Sequence, residues 1–260
     1  MVLLLDLGNT NLYVGVYQNG SLVNEYRTNS DVNKSSDEYG DIIRTFFILN
    51  SINPHDFKGA ILASVIPSLT QVLVRTVKKL LNVECMIVGK SLKSGLSIRI
   101  DNPNELGTDL VADSVGGIAR YGYPLYITDM GTATKILAID KDGNFVGCSI
   151  APGFKVSMMA LTKKSAQLMD IDLVCPAKVI GKNSPDSLNS GSIYGNIAMI
   201  EGMNKMMEKE LGYSCKKIIT GGYSYILKDH IDNEFIHDST LILEGLYQIY
   251  LKNGGNIWYE

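Results

Sequence analysis

The feature that most constrains the fold is a pattern that occurs twice, at a spacing of about half the 260 residues. In each copy an apolar strand ends in an aspartate, a short glycine-containing polar corner follows, and two more strands are joined by a glycine turn. The first copy spans residues 2–28 and the second spans residues 125–150. A repeat of this length predicts two related halves. We therefore expect one domain at residues 1–120 and a second at residues 121–260.

The two corners have a chemistry that suits phosphate groups. Each has an aspartate at the strand end, a glycine two residues later, and small polar side chains after it. Glycine lets the backbone approach an anion, amides and hydroxyls donate hydrogen bonds, and an aspartate can hold a cation or its water. The first corner consists of Asp6, Gly8, Asn9, Thr10 and Asn11, and the second of Asp129, Gly131, Thr132, Ala133 and Thr134. Taken singly, either corner could equally be an ordinary turn.

Apolar periodicity predicts a mixed α/β protein in which helices flank a sheet. Helices are expected at residues 36–49, 67–81, 156–168, 187–211, 223–229 and 240–252, with another that follows Asp109 and ends near Arg120. Strands are expected at residues 2–5, 12–17, 22–28, 58–65, 85–88, 125–128, 135–140, 145–150 and 217–220.

Composition narrows the possible functions. The net charge of −3 gives no excess of basic residues for binding phosphate backbones, which argues against nucleic acid as a partner. No apolar run approaches membrane-spanning length, and no basic segment precedes the first strand. The four cysteines are far apart, which favours a reduced, cytoplasmic setting over a zinc site or a disulfide framework. The three histidines have no metal-ligand spacing, so catalysis should depend on carboxylates.

Further motifs accompany the corners, and together they resemble type III pantothenate kinases of the actin, Hsp70 and sugar-kinase superfamily. They are Asp101-Asn-Pro103, Gly107-x-Asp109, Ile150-Ala-Pro-Gly153, Gly181-Lys-Asn183, Ser190-Gly191, Thr220-Gly-Gly222 and Leu243-Glu-Gly-Leu246. The resemblance extends over residues 1–252. It implies two duplicated ribonuclease H-like domains with ATP in the cleft between them, and phosphorylation of pantothenate as the first step of coenzyme A synthesis.

The resemblance also implies roles for individual residues. Asp109 would be the proton acceptor for the pantothenate hydroxyl, Asp6 would help to hold Mg²⁺, and Asp129 would coordinate a monovalent cation, K⁺ or NH₄⁺. The expected contacts with ATP are Asp6, Leu7, Gly8, Asn9, Thr10, Asn11, Leu12, Tyr13 and Thr132. The expected pantothenate site consists of Ile100, Gly107, Thr108, Asp109, Leu110 and Ser184. A homodimer is expected, with Ser184 near the subunit interface.

Two alternatives to these roles follow from position alone. Asp109 precedes the predicted third helix and could be its N-cap, and Asp129 could be a structural carboxylate at the end of a strand.

The sequence departs from the family pattern around the acceptor site. Leu110 replaces the usual arginine, Ile100 replaces a tyrosine, and Ser184 replaces a threonine but keeps the hydroxyl. Lys135 replaces the threonine that normally follows the second corner. Three functions therefore stay open: a pantothenate kinase, a non-catalytic or regulatory paralogue that binds nucleotide, and a kinase of the same fold for another small hydroxylated acceptor.

Overall fold

We describe residues 1–89, 91–164 and 172–254 of a computed structural model of the chain, without the side chains of residues 162–164. The described chain divides into two compact units. Unit 1 consists of Met1–Leu96, Asn102–Ala119 and the segment that begins at Ile242, and unit 2 consists of Ser97–Asp101 and Arg120–Leu241.

The elements follow one another in this order. They are β1 (Val2–Leu7), β2 (Asn11–Gln18), β3 (Ser21–Asn29), α1 (Ser36–Leu49), β4 (Gly59–Ser64), α2 (Pro67–Leu81), β5 (Cys85–Ile87), β6 (Ser97–Ile98), α3 (Thr108–Tyr121), β7 (Leu125–Met130), β8 (Ala133–Ile139), β9 (Asn144–Pro152), α4 (Phe154–Lys164), α5 (Ser184–Leu211), β10 (Lys216–Thr220), α6 (Ser224–Leu227), β11 (Phe235–His237) and α7 (Leu241–Lys252).

The sheet of unit 1 has the strand order β3-β2-β1-β4-β5. Strands β1, β2 and β3 form antiparallel hairpins, while β4 and β5 run parallel to β1. The β2–β3 turn has positive φ at Asn19 and Gly20, as the sequence predicts for a tight hairpin.

Helices cover both faces of this sheet. On one face, side chains of β1, β2 and β4 pack against α1 and α2 around Tyr39, Phe47 and Leu73, all at most 1% exposed. On the other face, Gly59 of β4 contacts Tyr250 of α7, and the ring of Tyr17 of β2 packs against that of Tyr247 in a tilted arrangement, at 4.5 Å between ring centroids. Since both faces are covered at its centre, the central strands β1 and β4 are mostly apolar and buried, whereas the edge strand β3 is mostly exposed.

The sheet of unit 2 has the strand order β11-β10-β7-β8-β9-β6. Read from β9 to β11, five of its strands repeat the order and directions of unit 1, with β7 in the place of β1 and β10 in the place of β4. The short strand β6 adds to the free edge of β9. The common strand order confirms the predicted duplication of a mixed α/β fold.

The predicted elements agree with the observed ones in most places. Helices α1 and α2 have the predicted bounds, and α7 differs from its prediction by one residue. Helix α4 begins two residues before its predicted start, and predicted residues 165–168 lie outside the described chain. Strand β11 was not predicted, since its three residues have no pattern of their own. Of the helices in the described ranges, none is both long and apolar enough to cross a membrane.

Candidate functional site

The first corner is the link between β1 and β2. Gly8 donates its N–H to the carbonyl oxygen of Asn11 at 3.0 Å, which closes the corner. The Ser30 hydroxyl donates to the carbonyl oxygen of Gly8 at 2.7 Å and ties β3 to it. Asp6 is half-buried near the end of β1, whereas the side chains at 9–11 are exposed. The corner therefore presents polar groups on a fixed backbone.

The remaining predicted ATP contacts of this corner point into the unit. Leu7 and Leu12 are completely buried. Tyr13 is also buried; its hydroxyl donates to Glu25, and the Arg27 guanidinium lies 3.7 Å from its ring centroid. Burial, followed by the hydrogen bond to Glu25, raises the pKa of Tyr13 well above its ordinary value. These three residues can contact a ligand through the backbone, while their side chains build the core.

The N-terminus of α3 is fixed to the same edge of the sheet as the first corner. The Thr108 hydroxyl donates to the carbonyl oxygen of Ser64 at 3.1 Å and accepts from the Ser64 N–H at 3.2 Å. Ser64 ends β4 and lies opposite Leu7 in the parallel ladder. The first turn of α3 therefore lies at the carboxyl ends of β1 and β4, where open α/β sheets bind ligands.

Asp109 is the second residue of this helix and is half-buried. The helix begins at Thr108, so Asp109 lies inside its first turn and is not its N-cap. A carboxylate in the first turn of a helix interacts favourably with the helix dipole. One carboxylate oxygen of Asp109 lies where a side chain at Gly107 would be, and glycine at 107 leaves that space open. A carboxylate at a ligand-binding edge is suited to accept a proton.

Leu110, the next residue of the predicted acceptor site, has only 6% of its surface exposed. Its side chain is buried and cannot donate a hydrogen bond.

Ile100 and Ser184 belong to unit 2. Ile100 follows β6 and is partly buried, and Arg99 beside it donates its backbone N–H to Phe145 at 2.8 Å. Ser184 is the exposed first residue of α5, whose N-cap Asn183 accepts from the Asp186 N–H at 2.8 Å. The predicted substrate residues therefore fall in both units.

In the second corner, too, the glycine N–H closes the turn, but onto the residue two positions later, whereas the N–H of Gly8 bonds three positions later. Gly131 donates its N–H to the carbonyl oxygen of Ala133 at 3.0 Å, and Thr132 between them is exposed. Gly153 donates to the carbonyl oxygen of Thr132 at 3.1 Å, so the Ala-Pro-Gly loop lies against the corner. At Gly221, which has φ +92°, a Cβ would lie 2.5 Å from both Asp129 Oδ1 and the Met130 nitrogen. Three motifs that are distant in sequence thus meet here within unit 2.

Asp129 has a partner that the sequence could not assign. The Lys135 ammonium donates to Asp129 Oδ2 at 2.7 Å, and the side chains are 18% and 14% exposed, respectively. The two residues lie opposite each other in the antiparallel β7–β8 pair, so the sheet register fixes the contact. The carboxylate expected to hold K⁺ or NH₄⁺ is therefore already paired with a positively charged side chain of the protein itself.

The described residues contain no group of three or more histidine, cysteine, aspartate or glutamate side chains that could bind a metal ion. A groove of about 370 Å³ between β3 and α1 contains none of the predicted site residues.

Comparison with known proteins identifies the family of the chain. The family model for type III pantothenate kinase matches residues 2–206. A type III pantothenate kinase from Exiguobacterium sp. (strain ATCC BAA-1283 / AT1b) is 38% identical over 253 residues, which is 97% of this chain and 99% of the relative.

Solved structures show the fold. A conserved Baf-family protein from Campylobacter jejuni superimposes with a TM-score of 0.61 at 18% identity, covering 98% of this chain and all of the other. The activator of the 2-hydroxyisocaproyl-CoA dehydratase from Clostridium difficile, solved with bound ADPNP, gives 0.51 at 11% identity, covering 97% and 93%. The fold is that of the actin-like ATPases and sugar kinases. By its matched residues, its identity to a full-length relative and its duplicated fold, the chain belongs to the type III pantothenate kinase family.

Proposed function

We propose that this protein transfers the γ-phosphoryl group of ATP to pantothenate and so forms 4′-phosphopantothenate, the first step of coenzyme A biosynthesis. The observation that carries the proposal is the 38% identity to a type III pantothenate kinase along 97% of the chain. The roles of the site residues follow from the family resemblance, and the geometry within each unit supports them.

Asp109 is the proton acceptor in this proposal. In the reaction the pantothenate hydroxyl oxygen forms a bond to the γ-phosphorus, the bond between that phosphorus and the β–γ bridging oxygen breaks, and ADP leaves. The hydroxyl proton passes to the Asp109 carboxylate. Phosphoryl transfer depends mainly on positioning and charge stabilisation, so a carboxylate within hydrogen-bond reach is a sufficient base. The fixed first turn of α3 and the space at Gly107 support this role.

The corners bind the nucleotide. The exposed Asn9, Thr10 and Asn11 and the backbone of the first corner would donate to the phosphates, and exposed Thr132 would contact ATP from the second corner. Asp6 offers the hard oxygen ligands that Mg²⁺ prefers, and its half-buried position at the strand end fits that role. When bound, Mg²⁺ supplies charge neutralisation on the β- and γ-phosphate oxygens.

The test is ADP formation measured with and without pantothenate for the wild type, Asp109→Asn and Glu105→Gln. Loss of the base should lower kcat by about 100-fold or more, because general-base catalysis contributes about that much. Glu105→Gln is the matched control, since Glu105 is exposed in the turn just before α3. Wild-type turnover by Asp109→Asn would refute the assignment.

A second candidate function is phosphorylation of another small hydroxylated acceptor, and the buried Leu110 favours it. An acceptor pocket without the usual guanidinium lacks a bidentate donor for a carboxylate. Under this alternative, a panel of small hydroxylated acids would contain one with a kcat/KM well above that of pantothenate. Pantothenate as the best acceptor would exclude it.

We also propose a cytoplasmic homodimer. All four cysteines (Cys85, Cys148, Cys175 and Cys215) are free thiols, as a reducing compartment favours.

Helix α5 has features that suit the subunit interface of the dimer. There is open space around Gly191, Gly195 and Gly202, and the apolar side chain of Met206 is 67% exposed. Light scattering coupled to size exclusion should give twice the mass of the 28.5 kDa chain. A monomer mass at micromolar protein would contradict the dimer.

A further inference from the structure

We propose that the Lys135 ammonium replaces the monovalent cation at Asp129, so that this protein needs neither K⁺ nor NH₄⁺ for its activity. The inference rests on the proposed kinase function and concerns the second corner of the same site.

The chemistry of the two cations is closely matched. A lysine side chain ends in a singly charged ammonium group, which is an alkylated form of NH₄⁺. A carboxylate expected to accept either K⁺ or NH₄⁺ can therefore accept this group in the same role. The observed Nζ–Oδ2 distance of 2.7 Å is that of a charge-assisted hydrogen bond.

The pair is built into the sheet. Asp129 and Lys135 are directly opposite in the β7–β8 ladder, and both side chains are more than four-fifths buried. A tethered charge at a fixed position has a high effective concentration that does not depend on the surrounding salt. The second corner is thus supplied with its positive charge when the strands pair.

The other carboxylate oxygen of Asp129, Oδ1, lies beside Gly221. Asp129 Oδ1 lies 2.5 Å from where a Cβ at Gly221 would stand, and 3.9 Å from where one at Gly131 would stand. A free cation on Asp129 would have to share the carboxylate with the Lys135 ammonium, and two like charges at that separation repel. The residues present therefore do not fit an additional monovalent cation.

The first test compares wild-type turnover in the chlorides of K⁺, NH₄⁺ and tetramethylammonium at an ionic strength of about 0.1 M, which holds screening constant. Tetramethylammonium is too large to replace K⁺ at a carboxylate. The inference predicts rates that agree within about twofold. Activation of the wild type by K⁺ of about tenfold or more would overturn it.

The second test uses Lys135→Thr, which introduces the hydroxyl usual in the family and leaves Asp129 without its charge partner. This variant should lose activity by about tenfold or more in tetramethylammonium and regain it in K⁺. Lys135→Arg keeps the charge and should stay independent of K⁺, so the inference remains testable if the threonine variant folds poorly. Lys141→Thr, at an exposed turn of the same unit, is the control and should behave like the wild type. Wild-type activity of Lys135→Thr in tetramethylammonium would also overturn the inference.

A third measurement separates this inference from the proposed function, because it needs no turnover. Replacing tetramethylammonium by K⁺ should raise the melting temperature of Lys135→Thr, since a bound cation stabilises the folded state, and should leave that of the wild type unchanged. An equal K⁺ response of the two proteins would refute the role of Lys135. Absence of turnover in every salt would instead refute the proposed kinase activity.

Discussion

Substitution of Gly245 by alanine should destabilise unit 1, because this residue lies at the contact between α7 and α3. A Cβ at position 245 would lie 2.6 Å from the carbonyl carbon of Ala112, closer still to its oxygen, and 3.0 Å from the Gly116 nitrogen. Ordinary contact begins at 3.4 Å. The atoms in the way are helix backbone, so no side-chain rotation can relieve the overlap.

The magnitude follows from two opposing effects. Alanine improves helix propensity over glycine by about 1 kcal/mol. Overpacking against a rigid neighbour commonly costs about 1–3 kcal/mol and more where backbone must move. Separating the helices would also loosen Leu243 and Leu246, both completely buried. We expect a net loss of about 2 kcal/mol, which lowers the melting temperature by about 4–8 °C in a protein of this size.

The measurement is thermal unfolding followed by circular dichroism, with Gly40→Ala as the matched control. Gly40 also lies within a helix, α1, but a Cβ there would meet nothing within 4 Å. The control should be unchanged or slightly more stable. A melting temperature of Gly245→Ala within about 1 °C of the wild type would refute the packing argument. Since α3 carries Asp109, the destabilised variant should also have a lower kcat.

Two further predictions concern unit 2. Burial acts to raise the pKa of Asp238, but the hydrogen bond and charge of Arg120, at 2.7 Å, hold it below its ordinary value. The pair therefore stabilises the fold above the unfolded-state pKa of about 4 and loses its effect as pH falls further. Arg120→Met should cost about 2 kcal/mol near neutral pH and much less in acid, as urea titrations at several pH values would measure; a pH-independent loss would contradict this. Gly221→Ala should weaken ADP binding by about tenfold or more, measured by calorimetry, because its Cβ would displace Asp129 and Met130; unchanged affinity would show that the second corner does not contact nucleotide.

Much of the fold could be predicted because its signals are local. The apolar strands, the hairpin at Asn19-Gly20 and the helix start at Pro67 each occupy a few adjacent residues. The repeated corner could also be predicted, and each copy is closed by a hydrogen bond of 3.0 Å from its glycine N–H to a carbonyl oxygen two or three residues later.

The unpredicted features depend on contacts between distant segments. Strand β11 exists because Phe235–His237 pairs with β10, which is a property of the sheet rather than of those three residues. Similarly, the return of the chain to unit 1 at Ile242 depends on the packing of α7 against β4 and α3.

Part of the site could also be predicted from the sequence, because some of its residues are adjacent, whereas the rest depends on contacts between distant segments. The corner residues are adjacent in sequence, and the family resemblance assigns them a role. The partner of Lys135 could not be predicted, because it depends on the β7–β8 register. The burial of Leu110 also required the structure, since a leucine in the first turn of a helix can face either side.

Direct detection of the product is the strongest test of the proposed function. Mass spectrometry of a reaction that contains ATP, Mg²⁺ and pantothenate should show 4′-phosphopantothenate formed in equal amount to ADP by the wild type. It should show almost none with Asp109→Asn. ADP without 4′-phosphopantothenate, or neither compound at millimolar pantothenate, would contradict the assignment of this chain as a pantothenate kinase.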